Sequence, residues 1–155
     1  MIMDTKVDVQ YASNEPDLPD RDMLTAWVNA ALQRAGSVRK EVELTIRIVD
    51  DAEARQLNER WRQRPYPTNV LSFPFECPPG IDIPLLGDII ICAPLVAREA
   101  ADKSLHAHWA HLVIHGTLHL LGYDHISDEQ AQIMESLEIS TLHDLAYSDP
   151  YQIAL

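Results

Sequence analysis

The sequence predicts an α/β or α+β protein, with a single small four-stranded mixed sheet packed with about five helices. Segments with strand and helix patterns alternate along the chain, which is typical of a sheet covered by helices. Residues 42–48 alternate between apolar and polar side chains, as a half-buried strand does, whereas residues 87–92 form an apolar run between turn residues, as a buried strand does. The length of 155 residues, without an internal repeat or a linker, predicts one domain over residues 1–155.

The N-terminal third predicts a strand, a helix and then the alternating strand, after which a second helix follows. Residues 7–12 form the first predicted strand. Apolar residues then recur at helical spacing, and Gly36 follows them as a helix stop. These apolar residues are Leu24, Trp27, Val28, Ala31 and Leu32. Asp50 and Glu53 have the spacing of a capping box, so we expect a helix to begin there and to run to about Trp61.

The middle of the chain predicts two further strands on either side of a loop. Residues 69–75 form the third predicted strand, which ends at about Pro74. Three prolines and a glycine within residues 77–86 predict a loop, because these residues interrupt regular structure. The apolar run at residues 87–92 is then the fourth strand. Hydrophobic periodicity does not determine the order of the four strands in the sheet.

Three helices are predicted after the last strand. Residues 94–103 begin with a proline, which suits the first turn of a helix. A long helix is expected at residues 105–121. Ser127 and Gln130 have the spacing of a second capping box, which predicts a final helix that runs to about Tyr147.

The charge is strongly acidic but unevenly distributed. A formal net charge of −12 argues against a protein that coats nucleic acid by bulk electrostatics. Four of the twelve basic residues, Arg55, Arg60, Arg62 and Arg64, nevertheless lie in one ten-residue stretch, and no lysine or arginine follows Lys103. This stretch is either a solvated helix face or a local anion-binding patch.

Cysteine usage and hydropathy predict the compartment. Cys77 and Cys92 do not form a C-x-x-C pair, which argues against a disulfide scaffold or a cysteine-rich zinc module. The first eleven residues carry three charges and no long apolar run, unlike a signal peptide. No apolar stretch reaches the roughly 20 residues that span a bilayer. We therefore expect a cytoplasmic protein that does not associate with membranes.

Histidine spacing carries the first prediction about chemistry. His111, His115 and His119 are four residues apart and would form one line on a helix. The first and last would be about 12 Å apart along the axis, because a helix rises about 1.5 Å per residue. Zinc–nitrogen bonds are only about 2.0–2.1 Å long. One ion can therefore take two neighbours from this line, and a third ligand must come from elsewhere.

The segment after the long helix offers that third ligand. Gly122 can adopt a left-handed conformation that ends the helix and turns the chain. His125 can then fold back toward an ion held by His115 and His119. Three imidazoles leave a fourth position for water, which is the open arrangement of a catalytic zinc. The sequence thus predicts one Zn²⁺ bound by these three histidines, although nickel or copper would also bind such ligands, often more tightly.

Two alternatives remain open at this point. In the first, His111 and His115 form the helical pair, with His106 or His108 as the third ligand, but no turn would aim that ligand. In the second, the histidines bind no metal. We expect His111 to be packed or to lie next to a ligand. Asp124 is a candidate for orienting a ligand imidazole, and the alternative is a solvated turn residue.

The residue after the first predicted ligand argues against a peptidase. Zinc peptidases with the H-E-x-x-H motif carry a glutamate base at that position, whereas this chain has Gly116. A glycine there either admits a bulky substrate or lets the helix pack closely against its neighbours.

Several sequence blocks together resemble a known family. They are H-G-T-L-H-L-L-G-Y-D-H at residues 115–125, L-N-E-R-W-R at residues 57–62, P-T-N-V-L-S-F-P-F at residues 67–75, L-L-G-D-I-I-I-C at residues 85–92, and A-H-W-A-H from Ala107. They are similar to the YbeY family, the bacterial endoribonucleases of ribosomal RNA maturation. The similarity extends from residue 57 to the end, about two-thirds of the chain.

The resemblance implies a metal-dependent endoribonuclease specific for single-stranded RNA. It implies a role in processing the 3′ end of small-subunit ribosomal RNA and in ribosome quality control, with the ribosome or its small subunit and proteins as partners. The family's zinc ligands fall on His115, His119 and His125, and its functionally important arginine falls on Arg62. A zinc metallopeptidase and a non-enzymatic assembly factor with structural zinc are the alternatives.

Other side chains are weaker candidates for the same site. Ser72 and Asp88 could line it from strand ends, with structural hydrogen bonding as the alternative. Tyr66 and Trp61 are candidates for stacking on RNA bases, although we expect Trp61 to be buried. Arg60 and Arg64 either hold the RNA backbone or are solvated charges.

Overall fold

The computed structural model describes residues 4–81, 83–101 and 104–151. Within these residues it contains four strands and five helices, which confirms the predicted α/β class with one small mixed sheet. The elements are β1 (Asp4–Ala12), α1 (Arg21–Arg34), β2 (Glu41–Val49), α2 (Asp51–Arg62), β3 (Val70–Pro74), β4 (Leu85–Cys92), α3 (Ala93–Ala100), α4 (Leu105–Leu120) and α5 (Asp128–Asp144).

The sheet has the strand order β1-β2-β4-β3. β1, β2 and β4 are parallel, and β3 runs antiparallel to β4 at the edge. The central strands β2 and β4 contribute most of the buried residues of the sheet, and β2 alternates between buried side chains on its core face and more exposed ones on the other face. On one face of β2, Leu44, Ile46 and Ile48 are almost completely buried, and Ile89 and Ile91 of β4 are buried beside them.

The helices cover the sheet and enclose the core. α1 and α4 contribute most of the buried apolar residues outside the sheet, and α4 also contacts α3, α5 and the strands β3 and β4. A second, smaller cluster of Val49, Ala54 and Cys92 joins α2 to the sheet. These contacts hold the central helix α4 on most of its sides.

Among the described residues, no helix has both the length and the apolar character that a bilayer crossing requires.

The start of β4 and the end of α3 differ from the prediction. β4 begins at Leu85, inside the loop predicted at residues 77–86, because Leu85 pairs with Glu43 of the neighbouring strand. α3 ends at Ala100, whereas the sequence predicts a helix to about Lys103, which lies outside the described residues. These differences do not alter the order of the elements.

The predicted capping box at the start of α2 is wrong. Asp50 is the N-cap residue, but its carboxylate accepts hydrogen bonds from Ser13 and from the backbone N–H of Asn14 instead of from the helix. Glu53 pairs with Arg47 of β2, with N–O distances of 2.6 and 2.9 Å. Glu53 therefore ties α2 to the sheet, Asp50 ties the start of α2 to the segment after β1, and these tertiary contacts replace the local capping box.

The capping box at the start of α5 is confirmed. The Ser127 hydroxyl accepts a hydrogen bond from the Gln130 backbone at 3.1 Å, and the Gln130 side chain accepts one from the Ser127 backbone at 3.3 Å. The helix ends at Asp144, earlier than the predicted Tyr147. Ala146 has a φ of 66°, and the Tyr147 N–H then donates to Leu142, as expected where a helix ends.

Candidate metal centre

Helix α4 places two histidines one turn apart. Ser104 caps its first turn by accepting a hydrogen bond from the Ala107 N–H at 3.2 Å. His115 and His119 then lie on the same side of the helix, with ring centroids 4.6 Å apart. Both side chains are partly buried at the border of the core. Their relative position is thus set by a helix that the core holds in place.

The chain turns sharply after α4 and brings the third histidine back. Gly122 has a φ of 104°, and the N–H of Tyr123 donates to the Leu118 carbonyl at 3.1 Å, which closes the helix end. The His125 ring then lies 5.6 Å from the His115 ring and 5.2 Å from the His119 ring. One ligand nitrogen from each of the three histidines lies within 4.8 Å of the others. His125 is exposed, so this group of donors faces solvent on one side.

A buried carboxylate supports the first of these histidines. Glu138 of α5 lies 3.1 Å from Nδ1 of His115 and 2.7 Å from Nε2 of His111. An ionised carboxylate only accepts hydrogen bonds, so both imidazole nitrogens must donate. His115 is therefore protonated on Nδ1, which leaves the lone pair of Nε2 free for a metal ion. His111 contacts the carboxylate next to a predicted ligand, as the sequence suggests.

The surroundings of Glu138 favour its charged form. Burial by itself would raise the pKa of this carboxyl group, but the hydrogen bonds and positive charge of His111 and His115 outweigh it and lower the pKa to about 2. The Tyr151 hydroxyl also donates to Glu138, at 3.0 Å. The site thus holds a buried negative charge behind the group of imidazoles, where a cation would be stabilised.

The surroundings of His119 disfavour its protonation. Burial lowers the pKa of His119, and the neighbouring His115 and His125 lower it further. Only a neutral imidazole can bind a metal. The geometry and the protonation preference of His119 therefore agree with a metal centre at these residues.

The alternative set of ligands is not assembled in the structure. Among the described residues, the only group of three or more potential ligands of this kind is His115, His119 and His125. His111 pairs with Glu138, and His108 lies 2.9 Å from Glu99. Three imidazole donors that converge and are open on one side fit a metal ion.

The candidate centre opens into a cleft that also contains the predicted arginine. The cleft has a volume of about 830 Å³, and its lining includes the three histidines, Arg62 and Arg64. Arg62 is the last residue of α2, and Gln63 ends the helix in a left-handed conformation with a φ of 57°. The buried side chain of Asn58 donates a hydrogen bond to the Tyr66 carbonyl at 2.7 Å. The segment after α2 is thereby fixed along one wall of the cleft.

Gly116 has a packing role. A Cβ atom at this position would lie 2.9 Å from Cγ2 of Ile89 and 3.2 Å from Oγ of Ser72. The glycine therefore lets α4 approach β3 and β4 closely. Ser72 lines the cleft and donates a long hydrogen bond of 3.5 Å to the Gly116 carbonyl. Asp88 is solvent-exposed on β4, and the described lining of the cleft does not include it.

The prediction that Trp61 is buried is wrong. It lies on the outer side of α2 and is 57% exposed. Its ring and that of Phe73 form an edge-to-face pair with centroids 5.8 Å apart, and the Arg60 guanidinium lies 5.4 Å from the Trp61 ring centre. Tyr66, by contrast, lines the cleft. Asp124 accepts a hydrogen bond from the His125 backbone at 2.8 Å, but its carboxylate is 3.8 Å from the His125 ring nitrogen. Its direct contact is thus with the turn.

The sequence reasoning missed three residues that shape the site, namely Asn58, Glu138 and Tyr151. Glu138 left a detectable signal, because it interrupts a helical stripe of residues that face the core, between Met134 and Leu142. A carboxylate at a core position of a helix requires a partner. Asn58 and Tyr151 gave no comparable signal.

Two comparisons with known proteins agree with the fold. Residues 8–146 match the sequence model of a family that is described as Endoribonuclease YbeY. The fold is similar to the solution structure of TM1509 from Thermotoga maritima, with a TM-score of 0.56 and 22% sequence identity over 95% of this chain and 99% of that chain. At this identity the likeness supports the fold alone. Because the family match covers most of the sequence, the chain belongs to the YbeY family of endoribonucleases.

Proposed function

We propose that this protein is a zinc-dependent endoribonuclease that cleaves single-stranded RNA in the cytoplasm. It acts in ribosomal RNA maturation, at the 3′ end of the small-subunit RNA, and in ribosome quality control. The observation that carries the proposal is that three converging imidazoles and Arg62 share one cleft. An RNA phosphate in this cleft would be within reach of a metal centre and a guanidinium group.

One zinc ion would be held by His115, His119 and His125. When bound, zinc supplies a Lewis acid that polarises a phosphate oxygen and lowers the pKa of a bound water molecule. Glu138 holds the His115 ring in the tautomer that presents Nε2, and its negative charge offsets part of the positive charge of the site. The exposed side of the histidine group leaves room for a phosphate.

Arg62 is proposed to bind the phosphate that is cleaved. Negative charge accumulates on the non-bridging oxygens during phosphodiester cleavage. A planar guanidinium can donate to two of these oxygens at once through a fixed fork of charged N–H groups, a geometry that the point charge of a lysine lacks. The position of Arg62 at the end of α2, beside the fixed segment of Asn58 and Tyr66, supports this role.

The electrostatics of the whole chain support delivery of the substrate by a partner. The net charge of −12 repels RNA at long range, whereas Arg62 and Arg64 attract it locally. Binding of free RNA is therefore weak, and we propose that proteins of the small ribosomal subunit bring the RNA to the cleft. Single-stranded RNA suits such a site because its backbone is free to bend toward it.

Charge reversal at Arg62 tests the proposal. Zinc-loaded wild type and Arg62→Glu are compared on single-stranded RNA, duplex RNA and casein. Arg60→Glu is the matched control, because it makes the same change two residues away, where the guanidinium lies against Trp61. We expect Arg62→Glu to lose at least about 100-fold in cleavage rate, the usual effect of removing a group that stabilises the transition state. The Arg60→Glu variant retains most of its activity.

The other outcomes distinguish the competing functions. If Arg62→Glu cleaves RNA as fast as wild type does, Arg62 does not have the proposed role. If the protein cleaves only casein, it is a peptidase, although Gly116 replaces the glutamate base of such enzymes. If zinc binds tightly and no substrate is cleaved even with ribosomes present, the protein is an assembly factor with structural zinc.

A further inference from the structure

An exposed tyrosine lies in the same cleft as the histidines. Tyr66 is 50% exposed, although a tyrosine of a core would be covered. It lines the cleft together with Arg62, Arg64 and the histidine group. An aromatic ring in a cleft of this kind offers an apolar face next to positive charge, which is the combination that a nucleotide requires.

Both ends of Tyr66 are held in place. Its carbonyl accepts a hydrogen bond from the buried amide of Asn58 at 2.7 Å, and its hydroxyl lies 3.1 Å from Nη1 of Arg64. The hydroxyl therefore accepts a hydrogen bond from the guanidinium. A ring fixed at its backbone and at its tip loses little conformational entropy when a ligand packs against it. The ring of Tyr66 is thus preorganised to pack against a flat ligand.

We propose that the ring of Tyr66 stacks on an unpaired nucleobase of the RNA, next to the phosphate that is cleaved. This inference rests on the proposed function and adds the residue that recognises the base. Arg64 holds the ring and adds positive charge near the RNA backbone, while Arg62 and the metal centre act on the phosphate. The stacking is tolerant of sequence, because each of the four bases has a π face.

The stacking subsite also explains why single strands are the preferred substrate. In a duplex, both faces of a base are covered by its neighbours, and unstacking it costs a few kcal/mol. In a single strand, the base is free to leave its neighbours and to pack against Tyr66. Discrimination against duplex RNA is therefore partly a property of this ring.

Oligonucleotides without individual bases test the inference. Wild type, Tyr66→Ala and Tyr66→Phe are compared on a short single-stranded RNA and on a series in which one nucleotide at a time lacks its base. Binding is measured by fluorescence anisotropy, and cleavage by kcat and KM. We expect Tyr66→Ala to raise Kd and KM about 5- to 100-fold with little change in kcat, as loss of one stacked base does. Tyr66→Phe keeps the ring and loses only the hydrogen bond to Arg64, so we expect a much smaller rise in Kd and KM than for Tyr66→Ala.

The position-specific result separates stacking from a general loss of structure. At one position of the RNA, removal of the base should weaken binding by wild type as much as Tyr66→Ala weakens the binding of intact RNA. Removal of the same base should not weaken binding by Tyr66→Ala any further. Tyr11→Ala is the matched control, because Tyr11 is 51% exposed on β1, outside the described lining of the cleft. We expect this control to bind and cleave RNA as wild type does.

Two results overturn the inference. One is a Tyr66→Ala variant with wild-type Kd and KM. The other is a variant that retains the wild-type sensitivity to every abasic position. If zinc-loaded wild type cleaves no RNA at all, the proposed function fails instead, and the anisotropy measurements on the same oligonucleotides still decide whether Tyr66 binds a base.

Discussion

The carboxylate of Glu138 lies 3.1 Å from Nδ1 of His115, and Glu138 is only 1% exposed. A buried charge of this kind is tolerated only when its partners satisfy it, and three groups do so here, His111, His115 and Tyr151. The contact fixes the tautomer of a proposed metal ligand from a helix that carries no ligand itself. The metal site and the packing of α5 on α4 are therefore linked.

Replacement of Glu138 by glutamine tests this link. Glutamine has nearly the same shape, but it lacks the charge, and its NH2 group in the place of Oε2 would face the Tyr151 hydroxyl. We expect Glu138→Gln to weaken zinc binding about 10- to 100-fold, the usual effect of losing such a supporting carboxylate. The measurement is a zinc titration against a competing chelator. Glu135→Gln, an exposed change on the same helix, is the control, and equal affinities for the two variants would refute the link.

Replacement of Gly87 tests how closely the edge strand β3, which lines part of the cleft, must pack against β4. Its φ is 141°, and a Cβ atom there would lie 2.2 Å from the Phe73 carbonyl oxygen in β3. The backbone cannot move away without breaking the pairing of β3 with β4. We expect Gly87→Ala to lower the free energy of unfolding by about 2–5 kcal/mol, from backbone strain and from the clash together. Urea denaturation measures the change.

Gly80→Ala is the matched control for this prediction. Gly80 also has a positive φ, of 84°, but a Cβ atom would meet nothing within 4 Å. Gly80→Ala should therefore lower the free energy of unfolding only through backbone strain, by about 1–2 kcal/mol. If the two alanine variants were equally stable, the close approach of β3 and β4 at Gly87 would not limit stability.

The ion pair between Glu53 and Arg47 predicts a dependence of stability on pH. The hydrogen bond from Arg47 lowers the pKa of Glu53 in the folded protein. The pair therefore stabilises the fold above the unfolded pKa of about 4.3, and this contribution is lost as the pH falls through the lower folded pKa. Because both side chains are more than a third exposed, the effect at neutral pH is below about 1 kcal/mol.

Glu53→Gln should remove this contribution. We expect the variant to be less stable than wild type at about pH 7, and we expect this deficit to shrink toward about pH 2, as the pH falls through the lowered pKa of Glu53. Urea denaturation at the two pH values measures the difference. Glu59→Gln, an exposed change on the same helix, is the control and should show no such dependence. A Glu53→Gln deficit that persists in acid would contradict the electrostatic origin.

The buried faces of the strands could be predicted from the sequence, but their order could not. Alternation at residues 42–48 indicates which side chains of β2 point to the core, and Val42, Leu44 and Ile46 are indeed buried. The neighbours of a strand depend on pairing with distant segments, such as Glu43 with Leu85. Local periodicity contains no information about that pairing. Asp50 shows the same limit, because its partners come from the loop after β1.

The histidine group was predictable because its geometry is local. His115, His119 and His125 lie within eleven residues, and one helix turn with one helix-ending glycine determines how they meet. Glu138 lies 23 positions beyond His115, on another helix, so only the packing of α5 on α4 brings it to the site. The prediction that Trp61 is buried was wrong for a different reason. Residue type favours burial of tryptophan, whereas its position on the outer side of α2 exposes it.

Metal binding should stabilise the fold, and this stabilisation should depend on the imidazole of His119. A ligand that binds only the folded state adds about 2.7 kcal/mol to the free energy of unfolding at a hundredfold excess over its Kd. We expect zinc to raise the Tm of wild type measurably and a chelator to reverse the rise. His119→Ala removes a proposed ligand whose ring lies close to those of both His115 and His125, so zinc should no longer shift the Tm of this variant, and RNA cleavage should be lost with it. His143→Ala, an exposed histidine of α5, is the control and should respond to zinc as wild type does. If zinc stabilised His119→Ala as strongly as wild type, the ion would bind elsewhere and the three-histidine centre would be refuted.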